Sequence, residues 1–363
     1  MRDELERAIE DDPDADALRL VLADWLQQHG DPLGELAVVQ HRGAPDRELI
    51  ARVLGPLDPF LDHLDARWRI GFLDSVRISD WEQIADCAPE DVDDFDLHAL
   101  LRMVLAHPAA RFLRELRFGM TTFDAVPRYS ELMTTLLEHA LPALRSLELG
   151  ALDFRGGEME LSWIALGDVG RVARRYPQLR ELALAGACVH MDGERLELGE
   201  LELPELRRFA LRTTDLTRSV LAEILAARWP KLASLTLWLG DHAYGCEVTV
   251  EDLEPLLDTP LPLVHLGLGN CIFTDDLIEP LAASDVLPRL RTLDLSCGTL
   301  TDRGAATLLH NFAAKFAHLE RLVLDRSHLS EAAVRSLSRV CPISAADQRE
   351  LLSSGNRYVA VHE

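Results

Sequence analysis

The sequence predicts an α/β fold of the solenoid type, in which one short strand-and-helix unit repeats along most of the chain. Leucine recurs at the first, fourth, sixth and eleventh places of a fixed grid, which is clearest in Leu290–Leu300. The grid fits nine segments, whose starts lie 26 to 40 residues apart. Hydrophobic residues make up 48% of the 363 residues, enough for a core that runs through a stack of such units.

The nine units open at Leu73, Leu113, Leu144, Leu179, Leu206, Leu232, Leu263, Leu290 and Leu319. This grid is that of a leucine-rich repeat. Residues at the fourth and sixth places alternate along a short strand, so both side chains point inward. Leu216–Ala226, Leu300–Leu309 and Leu329–Leu337 have the apolar spacing of helices. Strand-plus-helix units resemble the ribonuclease-inhibitor type of repeat. This resemblance implies a horseshoe with parallel strands on the concave face and helices on the convex face.

A small all-α domain over residues 1–68 is predicted to precede the repeats. Early acids, Asp14 and Asp16, suit a helix N-terminus. The apolar residues of this helix fall on one face: Leu18, Val21, Leu22, Trp25 and Leu26. Gly30 ends the helix, Asp31-Pro32 begins a second one, and a third covers Asp46–Leu54.

The start of this prefix resembles a known bacterial domain. Leu18–Leu26 followed by Gly30–Leu36 and Gln40 is similar to the "repeat-companion" domain, and the likeness covers roughly the first 45 residues. The domain generally has Arg where this chain has Leu33 and an aromatic residue where it has Leu36. The resemblance implies a bacterial repeat protein and no particular reaction.

The last segment, residues 341–363, is expected to close the repeat array of residues 69–340. Ser344–Ser353 is predicted to form a helix, and the weak alternation of Arg357–Glu363 favours extended structure. Such a segment protects an open sheet edge. The alternative is that it serves as a peptide-recognition tail.

Charge and cysteine usage narrow the class of protein. Lys and Arg number 37 and Asp and Glu 61, so the net charge of −24 repels nucleic acid and anionic membranes. The six cysteines form no Cys-x-x-Cys pair, which favours reduced thiols. With no apolar leader and no run of ~18 apolar residues, the sequence predicts a cytoplasmic protein without membrane contact. The oligomeric state is left open.

The strand positions between the inward leucines define the candidate binding surface. In the middle units these positions are small, as at Ala183, Ala185, Ala210 and Gly267, with Trp238-Leu239 beside them. An exposed Trp near arginines has the composition of an interface hot spot. The candidate partner-binding residues are Trp238, Leu239, Arg208, Arg212, His265 and Tyr244.

A second feature is an arginine stripe, one place after the first leucine of five units. It comprises Arg114, Arg145, Arg180, Arg207 and Arg291. It is either a solvated rim that pairs with neighbouring acids or a strip that steers an acidic partner.

Motifs of catalysis or nucleotide binding, such as Gly-x-Ser-x-Gly, His-Glu-x-x-His and the phosphate-binding loop, do not occur in the sequence. We therefore predict a non-catalytic scaffold or adaptor without a cofactor, which binds a protein partner on the concave wall. One alternative is a regulator of a nucleotide-handling protein, because some repeat proteins of this type resemble GTPase activators. A less favoured alternative is a metal-assisted hydrolase that uses the loop of residues 241–247, which holds Asp241, His242, Cys246 and Glu247.

Overall fold

A computed structural model describes residues 1–43, 46–78, 97–119, 129–150, 161–350 and 357–361. The chain divides into two compact units. Unit 1 comprises Met1–Leu152 with Arg175–Glu181, and unit 2 comprises Asp153–Arg174 with Leu182–Glu363. Among the described residues, no helix combines the length and apolar character needed to cross a membrane.

Unit 1 begins with helices and continues with strands. Its helices are α1 (Arg2–Asp11), α2 (Asp16–Gln28), α3 (Pro32–His41), α4 (Arg47–Leu54), α5 (Leu97–Ala106) and α6 (Tyr129–Glu138). Its strands are β1 (Arg67–Arg69), β2 (Phe72–Ile78), β3 (Glu115–Phe118) and β4 (Ser146–Leu149). β1 pairs antiparallel with β2, and β2, β3 and β4 pair in parallel.

The predicted ends of the first helices are confirmed. The side chain of Asp31 caps α3 by accepting the Leu33 amide, with Pro32 in the first turn. Asp46 caps α4 in the same way through the Leu49 amide. Gly34 allows α2 and α3 to cross closely, because a Cβ there would lie 2.3 Å from the Gln27 amide nitrogen.

The predicted buried face of α2 is partly wrong. Leu22 and Leu26 are buried, but Val21 is half exposed and Arg19 is buried in its place. The guanidinium of Arg19 lies over the ring of Phe112 and donates to the carbonyl of Pro13. Burial lowers the pKa of Arg19 to about 10. Because Phe112 is distant in sequence, apolar spacing within α2 does not indicate that Arg19 lies on the buried face.

Unit 2 contains most of the repeats. Its strands are β5 (Glu181–Ala185), whose first residue lies in unit 1, then β6 (Arg208–Arg212), β7 (Ser234–Gly240), β8 (His265–Cys271), β9 (Thr292–Asp294), β10 (Arg321–Val323) and β11 (Ile343–Ser344). The helices around them are α7 (Val169–Arg175), α8 (Arg218–Ala226), α9 (Glu254–Leu257), α10 (Ile278–Ala283), α11 (Asp302–Thr307), α12 (Ala313–Phe316) and α13 (Glu331–Leu337).

The fourth and sixth places of the leucine grid are confirmed in all nine repeats, while the eleventh-place Val189 is 37% exposed. The residues at the fourth and sixth places of every unit are at most 1% exposed. Parallel register stacks them from strand to strand, so that Leu235 lies beside Leu266, Leu266 beside Leu293, and Leu293 beside Leu322. Each leucine is therefore buried by its neighbours, and within each unit the predicted leucine-rich repeat fold is confirmed.

The predicted helix at Ser344–Ser353 is wrong where the structure describes it. Ile343 and Ser344 form β11, which pairs in parallel with Leu322 and Val323 of β10. Main-chain bonding continues beyond the strand, since the Arg326 amide donates to the Ala346 carbonyl. Main-chain hydrogen bonds to the edge of β10 thus hold this part of the chain in extended form. Residues 351–353 lie outside the described part.

Candidate functional site

The candidate site is the face of β6 to β10 that the buried leucines leave outward, which we call the wall. In register, its three rows are Arg208, Ser234, His265, Thr292 and Arg321; then Ala210, Thr236, Gly267, Asp294 and Val323; then Arg212, Trp238, Gly269, Ser296 and Asp325. Most of these residues are partly exposed, while their neighbours along each strand are buried. The leucine core thus fixes the wall from behind.

The expected exposure of Trp238 and Leu239 is wrong. Trp238 is only 9% exposed, and its indole lies against Gly269 of the next strand. The absence of a side chain at Gly269 makes this possible, because a Cβ there would lie 2.9 Å from the indole Cδ1 and Nε1 atoms. Leu239 is fully buried, since alternation along β7 places it on the same side as Leu235 and Leu237. Trp238 forms the floor of the wall instead of a projecting anchor.

The remaining candidate residues occupy different parts of the site. Arg208 and Arg212 lie on the outward face of β6, as expected, with Arg208 the more exposed. His265 is half buried, and its Nε2 lies 3.2 Å from the hydroxyl of Thr236. Burial lowers the pKa of His265, and the nearby Asp294 partly offsets this. Tyr244, 36% exposed, lies in the short helix His242–Tyr244 that follows β7.

The third row of the wall carries opposite charges at its two ends. Arg212 stands on β6, and Asp325 follows β10. Asp325 accepts the hydroxyl of Ser344 and the amide of Ala346, and Asp294 accepts the amide of Ser296. These carboxylates are held in fixed positions by their own neighbours. A molecule on the second and third rows meets the guanidinium of Arg212 on the β6 side and carboxylates on the β9–β10 side, while Arg321 adds an exposed guanidinium to the first row on β10.

The loop of residues 241–247 does not have the geometry of a metal centre. The Asp241 carboxylate accepts the Ala243 amide, and Nδ1 of His242 lies 2.9 Å from the Cys246 carbonyl oxygen. The thiol of Cys246 is buried, which raises its pKa to about 11. In the described part of the chain, no group of three His, Cys, Asp or Glu residues could hold a metal ion. These contacts give the proposed hydrolase no support.

The arginine stripe pairs with acids at Arg114 and at Arg291. In unit 1, Arg114 forms ion pairs with Asp14 and Asp74, each at 2.6 Å. In unit 2, Arg291 lies 3.1 Å from Glu320. Carboxylates also outnumber the arginines around the unit 1 cavity of about 280 Å³ that Arg114, Arg145 and Arg180 line. These contacts favour the solvated rim over a strip that steers an acidic partner.

The stacked leucines and the parallel, in-register strands decide the architecture. The chain has a leucine-rich repeat fold. No family model matches the sequence. A relative named ribonuclease inhibitor, from Sus scrofa, is 30% identical over 215 residues, which is 58% of this chain. The match spans 46% of that protein, so the chain covers less than half of it.

Two solved structures are similar to this chain. A protein of Bacteroides fragilis has a TM-score of 0.63 and 24% identity, covering 77% of this chain and 75% of that one. At this identity the likeness concerns the fold alone. An internalin of Listeria monocytogenes has a TM-score of 0.25 and 14% identity, covering 70% and 71% of the two chains.

Proposed function

We propose that this chain is a non-catalytic scaffold that binds a protein partner on the wall. The observation that carries the proposal is the wall itself, a partly exposed surface with small side chains at its centre, fixed on fully buried leucines. A preformed surface loses little conformational freedom when a partner binds. Such surfaces are typical of repeat proteins that hold other proteins.

The area of the wall is smaller than that of a standard protein–protein interface. Five strands at ~4.8 Å spacing and three rows of alternate residues at ~6.6 Å spacing give roughly 480 Å². A standard interface covers about 800 Å² on each partner. The partner must therefore also contact loops at the strand ends, where Tyr244 is a suitable residue. The charges at the two sides favour a partner with an acidic group facing Arg212 and a basic group facing Asp325.

Two matched variants test this placement. Ala210→Arg puts a long cationic side chain in the middle row of the wall at its β6 side, because Ala210 is partly exposed between Arg208 and Arg212. Ala332→Arg adds the same side chain at an exposed position on α13. Partners captured by the native chain are identified, and their affinities for both variants are measured. We expect Ala210→Arg to weaken binding at least tenfold, about 1.4 kcal/mol, and Ala332→Arg to leave it unchanged. Equal affinities for the two variants would remove the wall as the binding surface.

A ribonuclease is one defined partner to test, because the Sus scrofa relative is named for inhibiting this enzyme. A net charge of −24 also favours association with a cationic protein. Titration of a basic ribonuclease, followed by its activity, separates binding from inhibition. The regulator of a nucleotide-handling protein stays a prediction that no described contact supports or opposes.

A further inference from the structure

The segment Arg357–Val361 lies in unit 2 across the end of β8 and the turns that follow β9 and β10. The amide of Asn270 bonds both main-chain groups of Val361: its Nδ2 donates to the carbonyl at 2.6 Å, and its Oδ1 accepts the N–H at 3.0 Å. The Ala360 N–H donates to the Cys297 carbonyl at 2.7 Å. The imidazole of His328 lies 3.3 Å from the Tyr358 carbonyl. Three successive repeats thus each hold one residue of the segment.

Two of these three contacts arise at a backbone position that the repeats share. Asn270, Cys297 and Arg326 stand two places after the sixth-place leucine of their units, and all three have positive φ, at 49°, 62° and 56°. Left-handed conformations are uncommon for residues other than glycine, so three at one grid position form a repeated feature of the turns. The Asn270 side chain and the Cys297 carbonyl both face the segment.

The spacing of the two partners also matches. Two strand intervals at ~4.8 Å cover about 10 Å, and three extended residues at ~3.3 Å cover the same length. The segment bends at Ala360, so about 10 Å is the most that its three residue steps can span. A peptide of this length that crosses the three repeats therefore meets a polar group of each in succession.

Two side chains add selectivity. Val359 is 1% exposed, which makes it the apolar anchor of the segment. Arg357 donates to the buried carboxylate of Asp275 at 2.7 Å. Tyr358, between them, is 41% exposed. A cavity of about 910 Å³, lined in part by Arg357, His328 and Arg349, borders the segment. The segment is thus held by few buried side chains beside an open space.

We propose that Asn270, Cys297, His328 and Asp275 form a peptide-binding edge, which Arg357–Val361 occupies as an intramolecular ligand. Its partner is a peptide with a guanidinium at the first position, a valine-sized side chain at the third and a small residue at the fourth, where the chain bends. Such a peptide binds by replacing the chain's own segment. This edge is separate from the wall, and its test needs no knowledge of the wall's partner.

The test uses a fluorescent synthetic peptide of residues 357–363 and measures its anisotropy with the full chain. Val359→Asp places a charge at the buried anchor and releases the intramolecular segment, whereas Val264→Asp makes the same change at a valine that is 42% exposed and lies outside the segment. A tethered segment competes at an effective concentration in the millimolar range. We therefore expect the peptide to bind the Val359→Asp chain about 30-fold more tightly than the native or Val264→Asp chain. Equal binding to all three, or no binding to a folded Val359→Asp chain, would overturn the proposal.

Asn270→Ala, added to Val359→Asp, identifies the edge as the site. Loss of the two amide hydrogen bonds is expected to weaken the peptide about tenfold. An unchanged affinity would place the peptide elsewhere and refute the edge.

Amide exchange in the native chain gives an independent answer if Val359→Asp does not fold. A replaceable segment opens without unfolding the repeats, so the amides of Ala360 and Val361 should exchange at least 100-fold faster than those of Leu324 and Arg326. The latter two amides donate to the carbonyls of Ser344 and Ala346. Equal exchange rates would mean that the segment belongs to the repeat core, and the proposal would fail.

Discussion

Three glycines around the wall test the placement of Trp238, on which the shape of the site depends. An added Cβ at Gly269 would lie 2.9 Å from the indole and 3.1 Å from the Ser296 carbonyl oxygen, well inside ordinary contact distance. Neither the ring nor the backbone can move freely, so Gly269→Ala should lower the free energy of unfolding by about 1–3 kcal/mol.

Alanine substitutions at the other two glycines should cost less and more free energy of unfolding, respectively, than Gly269→Ala. At Gly267 the three atoms nearest to an added Cβ would all belong to the Thr236 side chain, the closest at 3.1 Å, and this small side chain can shift by a few tenths of an ångström. The gain from removing a strand glycine, about 0.5–1 kcal/mol, should offset that contact and leave Gly267→Ala nearly neutral. At Gly240 the φ of 94° and a distance of 1.8 Å to the Thr214 carbonyl oxygen leave no room. Gly240→Ala should cost more than about 4 kcal/mol or prevent folding.

Urea unfolding followed by circular dichroism measures the cost of each of the three glycine substitutions. A double-mutant cycle then tests whether the indole of Trp238 causes the cost at Gly269. In a Trp238→Ala background the indole is gone, so most of the cost of Gly269→Ala should disappear. The expected coupling is about 1–2 kcal/mol. If Gly269→Ala costs the same in both backgrounds, the indole does not lie on Gly269, and the description of the wall floor is wrong.

Three further predictions concern groups outside this contact. Asp215→Ala should lower the free energy of unfolding by about 2–3 kcal/mol in urea titrations, because the buried carboxylate accepts the amides of Cys188 and Val189, both at 2.9 Å. Burial lowers the pKa of His265, so the unfolded chain binds this proton more readily, and stability should fall as pH drops below the ordinary value of about 6.5. Urea midpoints at pH 7.5 and 5 should differ less in His265→Gln. The Cys87→Ser chain retains five cysteines, all of them buried. A thiol reagent should therefore react slowly with this variant when it is folded, and should modify five thiols when it is unfolded in urea.

The repeat core was predictable because each leucine has a local signature. Alternation along a strand fixes which side chains share a face, and the recurrence of the grid shows that neighbouring units bury them. Leu293 and Leu295 are therefore placed by spacing alone, and both are fully buried. The helix starts at Asp31 and Asp46 were predictable for the same reason, since a cap acts within one turn.

Except for Leu239, these errors arose where the contact that decides the structure lies in another repeat. Position along β7 indicates that Trp238 faces away from the leucines, but only the missing side chain of Gly269 allows the ring to lie flat. Leu239 was misplaced although alternation alone puts it inside. The strand at Ile343-Ser344 depends on the open edge of β10, which local propensity does not reveal. The contact between Asn270 and Val361 joins residues 91 positions apart and has no periodic signal.

The wall and the peptide-binding edge meet at two peptide bonds, one in β8 and one after β9. Gly269 supports the indole of Trp238, and the next residue, Asn270, bonds to the segment. Ser296 lies in the third row of the wall, and the next residue, Cys297, also bonds to the segment. These two bonds are the shortest routes by which a change at one site reaches the other.

A partner on the wall can therefore change the affinity of the edge for the peptide. Coupling between two binding sites is reciprocal, so the peptide must change the affinity of the wall for its partner by the same factor. Peptide titrations of the Val359→Asp chain with and without the wall partner measure that factor, and a factor of one would show that the repeats hold the two sites independently.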